Sequence, residues 1–407
     1  VERDGRWVGM VVEAERVAVK GRTTPFQIDR LYTSNGAVVG LDRERHLAYT
    51  LRWSGTEPGG ARQLASLGVN RATTWTEFRS AMERWTAPAA TFVYADVDGH
   101  IAQVQAGALP SRGSGNGLLP LPGWRAADAW RGTVPAATGS GVQLDPRSGI
   151  AAALNGQAAR AARLQELLAA PGERTPADVR ASLVDAVEPN ASRLFPVLVA
   201  LRDVPEEAER VLTALRSWDG HASSAEALQF EALEREVALR LARRRVPPEF
   251  AEDLAARIDV GEVLARPSAI WFDGNVTADR DRVLVEALTA VARAGVPMAP
   301  TLTFAHPLAV FDAAKRRFNV GPLARPGAPQ ALFSTTARTA QTFRAVFDVS
   351  DWSRSMATLA PGQSGSPASP HYDDLAASWA AGEFQPLAYT APDVKAVAVE
   401  TLVLTPR

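Results

Sequence analysis

The sequence predicts an α+β protein in which a mostly helical segment is inserted between two strand-rich segments. Near the amino end, short runs of β-branched residues alternate with polar residues. In the middle of the chain, helical spacing of apolar residues replaces that pattern, and strand-like runs return near the carboxyl end. We therefore predict a strand-rich part of the core at 1–157, a mostly helical segment at 158–299, and a strand-rich part that completes the core at 300–407.

The amino-terminal segment contains the clearest strand signals. Between residues 7 and 49, the runs "WVGMVVEAERVAVKG" and "GAVVGLDRERHLAYTLRW" are typical of antiparallel strands. The stretch "TWTEFRSAMERW" predicts a helix that is capped by Thr76. Further on, "TFVYAD" and "HIAQVQAG" flank Asp98-Gly99, and an Asp-Gly pair between alternating runs predicts a hairpin. Residues 108–149 are rich in Gly, Pro and Trp, which predicts an ordered but irregular surface excursion.

The middle of the chain changes to helical periodicity. Between Ala158 and Ala294, apolar residues recur at helical spacing in "AARAARLQELLAA", "PADVRASLVDAV" and "SAEALQFEALEREVALRLARRR". After Pro300 the runs are short again. There, "FRAVFDVSDW" and the closing "VKAVAVETLVL" predict strands.

The composition indicates a globular protein and excludes several classes of partner. Apolar residues make up 46% of the chain and charged residues 22%. The formal net charge is -1, so no basic field exists that could hold a nucleic acid or an anionic membrane. No apolar run approaches the roughly 18 residues of a membrane span, and the absence of Cys excludes disulfides and a thiol nucleophile. We expect a small or neutral ligand, and neither a nucleic acid nor a membrane as partner.

The stretch "APGQSGSPASPHYDDLAASWAAGEF" near the carboxyl end holds residue types that are common in active sites. A nucleophile elbow requires Gly two residues after the serine, whereas Ser366 stands at that place after Ser364. His371 beside Asp373 and Asp374 has the chemistry of a metal ligand set, but a second His at helical spacing is missing. We therefore interpret this stretch as a structural loop and predict no metal site from it.

Eight separated blocks, in order over nearly the whole chain, resemble one known family. It is the penicillin acylase (penicillin amidase) family of N-terminal nucleophile hydrolases, and the resemblance is to the carboxy-terminal part of the β chain. The last block is the most specific. The blocks are "TFVYADVDGHIAQVQAGALPSR", "LLPLPGW", "DPRSGIAAALN", "RAARLQELL", "SWDG", "HPL", "RAVFDVSDW" and "PGQSGSPASPHYDDLAASWAAGEFQPL".

The resemblance implies a four-layer αββα sandwich, present here in part, and an amidohydrolase that acts on N-acyl compounds such as β-lactam antibiotics or acyl-homoserine lactones. Its nucleophile would be the amino-terminal serine of a self-cleaved β chain, which forms an acyl-enzyme. The opening "DGRWVGMVVEAERVAVKG" resembles a stretch well inside that β chain. We therefore expect no nucleophile in this chain, and we expect the α chain and the start of the β chain as missing partners. The resemblance also implies a periplasmic or secreted location.

The resemblance implies two site residues. Asn155, which follows "SGIAAAL", matches an asparagine whose amide donates to the oxyanion, and Arg160 matches an arginine that orients this asparagine or the substrate. The family also has a calcium site, but the interval between the two residues, which normally supplies a carboxylate, is much shorter here. The short interval leaves an alternative open, namely a degenerate, non-catalytic family member that serves as a binding or scaffold protein.

Overall fold

The computed structural model divides the chain into two compact units, Val1–Ala153 and Leu154–Arg407. Both units combine helices and strands, which confirms the α+β class. The division into three segments at 157 and 299 stays a prediction. The residues that the structure describes are 1–58, 60–115, 117, 120–135, 141–154, 158–169, 172, 174–295, 301–307, 309–336 and 339–404.

The first unit is built mainly from antiparallel strands. Their bounds, with that of helix α1, are β1 Glu2–Arg3, β2 Arg6–Trp7, β3 Val11–Val17, β4 Phe26–Thr33, β5 Gly36–Asp42, β6 Leu47–Leu51, α1 Trp75–Glu83, β7 Ala90–Ala95, β8 Ile101–Ala106, β9 Ala108–Arg112, β10 Trp130–Pro135 and β11 Val142–Leu144. The largest sheet has the strand order β3-β4-β5-β6 and a second sheet has the order β11-β8-β7, while β1 pairs with β2 and β9 with β10.

The hairpin predicted at Asp98-Gly99 is confirmed. β7 and β8 pair antiparallel on either side of this turn. The carboxylate of Asp96 accepts hydrogen bonds from the backbone N–H of Asp98 at 3.1 Å and of His100 at 2.9 Å. These bonds satisfy backbone donors that the tight turn leaves without a strand partner, which explains why an Asp stands at its entry.

Helix α1 follows the predicted pattern but begins earlier than predicted. Phe78 and Met82 are both buried, as their shared helical face requires. The cap is Thr74 rather than the predicted Thr76, since the Thr74 side chain accepts from the backbone N–H of Glu77. The apolar spacing predicts the helix, but it does not determine which of the two threonines caps it.

The stretch 108–149 is more regular than its composition indicates. It contains β9, β10 and β11, so the expectation of an irregular excursion is wrong over these strands. Pro110 lies inside β9, and Gly132 lies where the register of the pair shifts. Proline and glycine are tolerated in a two-stranded pair with such a bulge. They interrupt the alternation of apolar and polar residues by which a strand is predicted from sequence.

The second unit consists of helices followed by short strands. The bounds are α2 Ala158–Leu168, α3 Pro176–Leu183, α4 Pro189–Ala200, α5 Glu206–Ser217, α6 Ala225–Arg243, α7 Ala251–Ala255, α8 Val260–Ala265, α9 Val276–Ala294, β12 Thr301–Phe304, α10 Asp312–Phe318, β13 Val320–Ala324, β14 Phe343–Val346, β15 Met356–Leu359, α11 Ala376–Ala380, β16 Gln385–Pro386 and α12 Ala391–Val397. β14, β15 and β16 form one sheet, and β12 pairs with β13. Over the described residues, no helix is both long and apolar enough to cross a bilayer.

The main core of the second unit lies among α4, α5, α6 and α9. Leu233 and Leu241 of α6 meet Leu284 and Leu288 of α9 in this core, and all four are 0% exposed. Their spacing of four or eight residues puts each pair on one face of its helix. The helical pattern seen in the sequence of α6 is therefore confirmed, and the core fixes α4 and α6, which border the site described below.

A smaller core anchors the carboxy-terminal part of the chain. It joins Leu302 of β12 to Phe333, Ala360 and Trp379. The predicted strand in "FRAVFDVSDW" is confirmed over β14. The closing run "VKAVAVETLVL", predicted as a strand, is wrong: α12 covers its first part and residues 398–404 form neither helix nor strand.

A capping box explains that error. The Thr390 side chain accepts from the backbone N–H of Asp393, and the Asp393 side chain accepts from the backbone N–H of Thr390. Reciprocal caps of this kind stabilise the first turn of a helix. The local signal at the start of α12 thus outweighs the strand propensity of the valines that follow.

Candidate active site

Arg160 lies in the first turn of α2, and a distant turn of the chain holds its guanidinium. Its Nη2 atom donates to the carbonyl oxygen of Pro329 at 2.7 Å and to Ser334 Oγ at 3.3 Å, while Nε donates to the carbonyl oxygen of Gln330 at 3.2 Å. Ser334 Oγ itself donates to the Pro329 carbonyl at 2.9 Å. Because a guanidinium is planar, these contacts fix its orientation. We call residues 329–334 the 329–334 turn.

Asn155 belongs to the stretch 155–157, which lies outside the described residues. Of the two predicted site residues, the structure therefore places Arg160. The roles of Asn155 at the oxyanion and of Arg160 as its orienting partner stay predictions.

A buried carboxyl group that the sequence analysis missed lies against the same turn. Glu188 is 1% exposed. Its Oε2 atom accepts from the backbone N–H of Gln330 at 3.3 Å, and Oε1 accepts from that of Asn190 at 3.2 Å. Glu188 precedes Pro189 and caps α4. An acidic residue before such a proline is a signal for a helix start, but it does not indicate burial.

Burial dominates the electrostatics of this site. It raises the pKa of Glu188 to about 7, against the opposing effects of the backbone N–H donors of Asn190 and Gln330 and of the positive Arg160. Burial also lowers the pKa of Arg160, and the charge of Glu188 acts in the opposite direction. Glu188 therefore changes its charge in the neutral pH range, next to a guanidinium that stays positive.

Ser364, the serine between glycines, belongs to a hydrogen-bonded loop. Its backbone N–H donates to the carbonyl oxygen of His371 at 2.9 Å, and its Oγ accepts from the backbone N–H of Ser366 at 3.1 Å. His371 Nδ1 lies 2.8 Å from a carboxylate oxygen of Asp374. A side chain at Gly362 would place its Cβ 2.5 Å from the His371 carbonyl oxygen, so the loop requires glycine there. These contacts support the interpretation of this stretch as a structural loop.

A calcium site does not fit the part of the chain that is described. There, no group of three or more His, Asp or Glu side chains is arranged to hold a metal ion. Ca²⁺ requires six to eight oxygen ligands, several of them carboxylates. We therefore derive no step of the chemistry through a metal.

Comparison with known proteins decides the family. A family model described as penicillin amidase matches residues 1–396. The chain belongs to the penicillin amidase family. The resemblance seen in the eight sequence blocks is thereby confirmed.

Two curated relatives match most of the chain at low sequence identity. The penicillin acylase 2 proenzyme of Pseudomonas sp. (strain SE83) is 27% identical over 446 residues, which cover 96% of this chain and 56% of that protein. The acyl-homoserine lactone acylase QuiP of Pseudomonas syringae pv. tomato is 24% identical over 489 residues, which cover 99% of this chain and 57% of that protein. The chain thus spans a little over half the length of these curated relatives.

A solved structure of the family shares the fold. The thermostable penicillin G acylase from Alcaligenes faecalis matches with a TM-score of 0.68 and 18% identity, over 100% of this chain and 83% of that chain. At this identity the likeness shows the fold alone. It confirms the predicted fold of an N-terminal nucleophile hydrolase.

Proposed function

We propose that this chain is part of an amidohydrolase that cleaves the linear amide bond of N-acyl compounds. The family and the names of its relatives, penicillin acylase and acyl-homoserine lactone acylase, support this class of reaction. The observation that carries the proposal is the fixed guanidinium of Arg160, held at 2.7 Å and 3.2 Å by two carbonyl oxygens. A positioned, permanently charged donor is what an orienting residue near a developing negative charge requires.

In the proposed reaction, the nucleophile is an amino-terminal serine outside these 407 residues. Its hydroxyl oxygen attacks the amide carbonyl carbon while its own α-amino group accepts the hydroxyl proton. The C–N bond then breaks, and the amine leaves with that proton. Water hydrolyses the resulting ester in the second half of the reaction and releases the carboxylic acid. The chain's coverage of 56% of a relative supports this placement.

In this reaction the 407 residues stabilise the transition state, and they do not supply the atom that attacks the carbonyl carbon. The Asn155 amide donates a hydrogen bond to the oxyanion, and a neutral donor suits a charge that exists only transiently. Arg160 orients this asparagine or the substrate. Asn155 precedes α2 in the sequence and Arg160 lies in its first turn. A single short segment therefore supplies both the oxyanion donor and the orienting residue.

Exposed apolar residues in the first unit support a partner polypeptide. Val11 and Val12 of β3 are 60% and 58% exposed, and consecutive strand residues point to opposite faces of a sheet. Phe26 and Ile28 of the neighbouring β4 are exposed as well. Phe26 and Ile28 lie on one face of β4, and the exposed Val17 of β3 lies opposite Phe26. Because an exposed apolar cluster of this kind marks an interaction site, we propose that the remaining part of the protein covers these strands.

The direct test compares the full-length protein with the isolated 407-residue chain. The substrates are an N-acyl chromogenic anilide and an N-acyl-homoserine lactone. We expect the full-length protein to release the amine from at least one of them and the isolated chain to release none, because the proposed nucleophile lies outside it. Binding of an N-acyl ligand by the full-length protein without any hydrolysis would favour the non-catalytic alternative.

Two arginines of one helix provide a matched control in the full-length protein. Arg160→Lys removes the planar fork and should lower kcat/KM by roughly 10- to 100-fold, the scale expected from a misplaced site group. Arg163 is paired with Asp185 at 2.7 Å. Arg163→Lys keeps the charge of that ion pair and should change kcat/KM little. Equal effects of the two substitutions would remove Arg160 from the site.

A further inference from the structure

The 329–334 turn connects Arg160 to Glu188 through a single residue. The backbone of Gln330 is held at both of its polar groups, because its N–H donates to Glu188 and its carbonyl oxygen accepts from Arg160. Gln330 is 142 positions from Glu188 and 170 positions from Arg160 in the chain. A displacement of the Glu188 carboxyl group therefore displaces the acceptors that orient the guanidinium.

We propose that Glu188 is the positioning residue of Arg160 and acts through the 329–334 turn. Its consequence for catalysis rests on the proposed function. The coupling between the two side chains involves only residues of this chain, so it can be tested without an assay of enzyme activity.

Further hydrogen bonds hold Glu188 in place. Its backbone N–H donates to the carbonyl oxygen of Gly220 at 2.8 Å. Asn190, which donates its backbone N–H to Glu188, is buried and donates its side-chain amide to Glu234 Oε1 at 2.8 Å. A side chain at Gly261 would place its Cβ 2.2 Å from Asn190 Oδ1, so the glycine makes room for this amide. The carboxyl group thus belongs to a packed polar cluster and has little freedom to move.

The charges of this cluster make the stability of the 329–334 turn depend on pH. Burial raises the pKa of Glu234 well above its ordinary value, and the negative charges of Glu188 and Glu231 raise it further. The charge of Glu231 is offset by Arg325, whose Nη1 atom donates to it at 3.0 Å. The ionisable groups that act on Glu188 directly are Arg160 of α2 and Glu231 of α6, and Glu234 of α6 is linked to it through Asn190. Other described ionisable groups near this cluster are Arg325, His221 and Asp259 and, along the cavity that Glu188 lines, Arg163, Glu166, Arg193 and Asp219.

The direction of the pH effect follows from linkage. In the closed cluster the pKa of Glu188 lies above the ordinary value of 4.5, because burial disfavours the ionised form. When the turn opens, solvent reaches the carboxyl group and its pKa falls towards the ordinary value. A rise in pH through about 7 therefore favours opening, so the turn and Arg160 are held most firmly below neutral pH.

Hydrogen exchange of a peptide covering residues 326–335, read by mass spectrometry in the full chain, tests the coupling. At about pH 6, Glu188→Ala should exchange roughly tenfold faster than the wild type, since the turn loses an acceptor. Glu188→Gln keeps the shape and one acceptor oxygen, so it should stay within about threefold of the wild type. Between about pH 6 and pH 8.5, the wild type should lose about tenfold in protection after correction for intrinsic exchange, whereas Glu188→Gln should not.

The control variant is Glu166→Gln, which changes an exposed carboxylate on the same helix as Arg160. It should leave the exchange of the peptide unchanged at every pH. Labelling by phenylglyoxal gives a readout of the arginine itself, and Glu188→Ala should raise the labelling of Arg160 relative to Arg163. Unchanged exchange and labelling in Glu188→Ala, or a pH dependence in Glu188→Gln equal to that of the wild type, would overturn the proposal.

Kinetics of the full-length protein then separate positioning from the reaction. The α-amino base gives kcat/KM a limb that rises with pH, whereas Glu188 should give a limb that falls above about pH 7. We expect Glu188→Gln to lose the falling limb and Glu188→Ala to lower kcat about tenfold with little change in KM. A full-length protein without any amidase activity would refute the proposed function, while the exchange and labelling results would still decide the coupling.

Discussion

Trp379→Ala should lower the free energy of unfolding by about 3 to 5 kcal/mol, the range found for removal of a large buried aromatic side chain. Trp379 is 0% exposed, and its ring centroid lies 5.4 Å from those of both Phe304 and Phe333 in edge-on geometry. Its indole N–H donates to the carbonyl oxygen of Gln341 at 3.0 Å, so the substitution also removes this hydrogen bond. The guanidinium of Arg344, 5.5 Å from the ring, loses an aromatic contact as well.

Urea unfolding of the wild type and of Trp379→Ala measures this effect. Ser364→Ala is the matched control from the same segment, because it removes one hydroxyl acceptor of a loop hydrogen bond and should cost less than about 1 kcal/mol. In the full-length protein, Ser364→Ala should also leave turnover nearly unchanged. A loss of turnover with normal stability in Ser364→Ala would contradict the structural interpretation of this segment.

Asn155→Ala should lower kcat by roughly 10² to 10³, with a smaller effect on KM, in the full-length protein. The amide is proposed to interact more strongly with the oxyanion of the transition state than with the carbonyl group of the bound substrate. Removal of a donor that acts in this way raises the barrier without weakening substrate binding to the same extent. The match of "SGIAAALN" to the family block motivates this prediction.

Steady-state kinetics of the wild type, Asn155→Ala and Asn155→Asp decide the role of this residue. Asn155→Asp should be at least as harmful as Asn155→Ala, because it places a negative charge against a developing negative charge. Thermal unfolding of the three proteins controls for a loss of structure. If Asn155→Ala and the wild type have the same kcat, Asn155 has no part in the oxyanion site.

Much of the fold could be predicted because its signals are local. The Asp98-Gly99 hairpin and the helix α6 depend on residues that are close together in the sequence, and both are confirmed. The errors arise where two local signals compete. At α12 the Thr390 capping box prevails over a run of valines, and in β9 and β10 proline and glycine conceal the strand alternation.

The site shows the opposite balance. Arg160 was predicted as a site residue from the resemblance of its surrounding block, "RAARLQELL", to the family, and this role stays a prediction. The surroundings of Glu188 could not be predicted in this way, since they depend on burial and on a hydrogen bond with a residue 142 positions away. A glutamate before a proline at a helix start is common on protein surfaces, and only tertiary packing removes this one from solvent.

The most direct test of the account is the location of the covalent intermediate. The full-length protein is treated with a serine-directed sulfonyl fluoride, and the adduct is mapped by digestion and mass spectrometry. We predict a single adduct on an amino-terminal serine outside the 407 residues, together with loss of N-acyl hydrolysis. An adduct on Ser364, or on any other serine of these residues, with the same loss of activity would contradict the account.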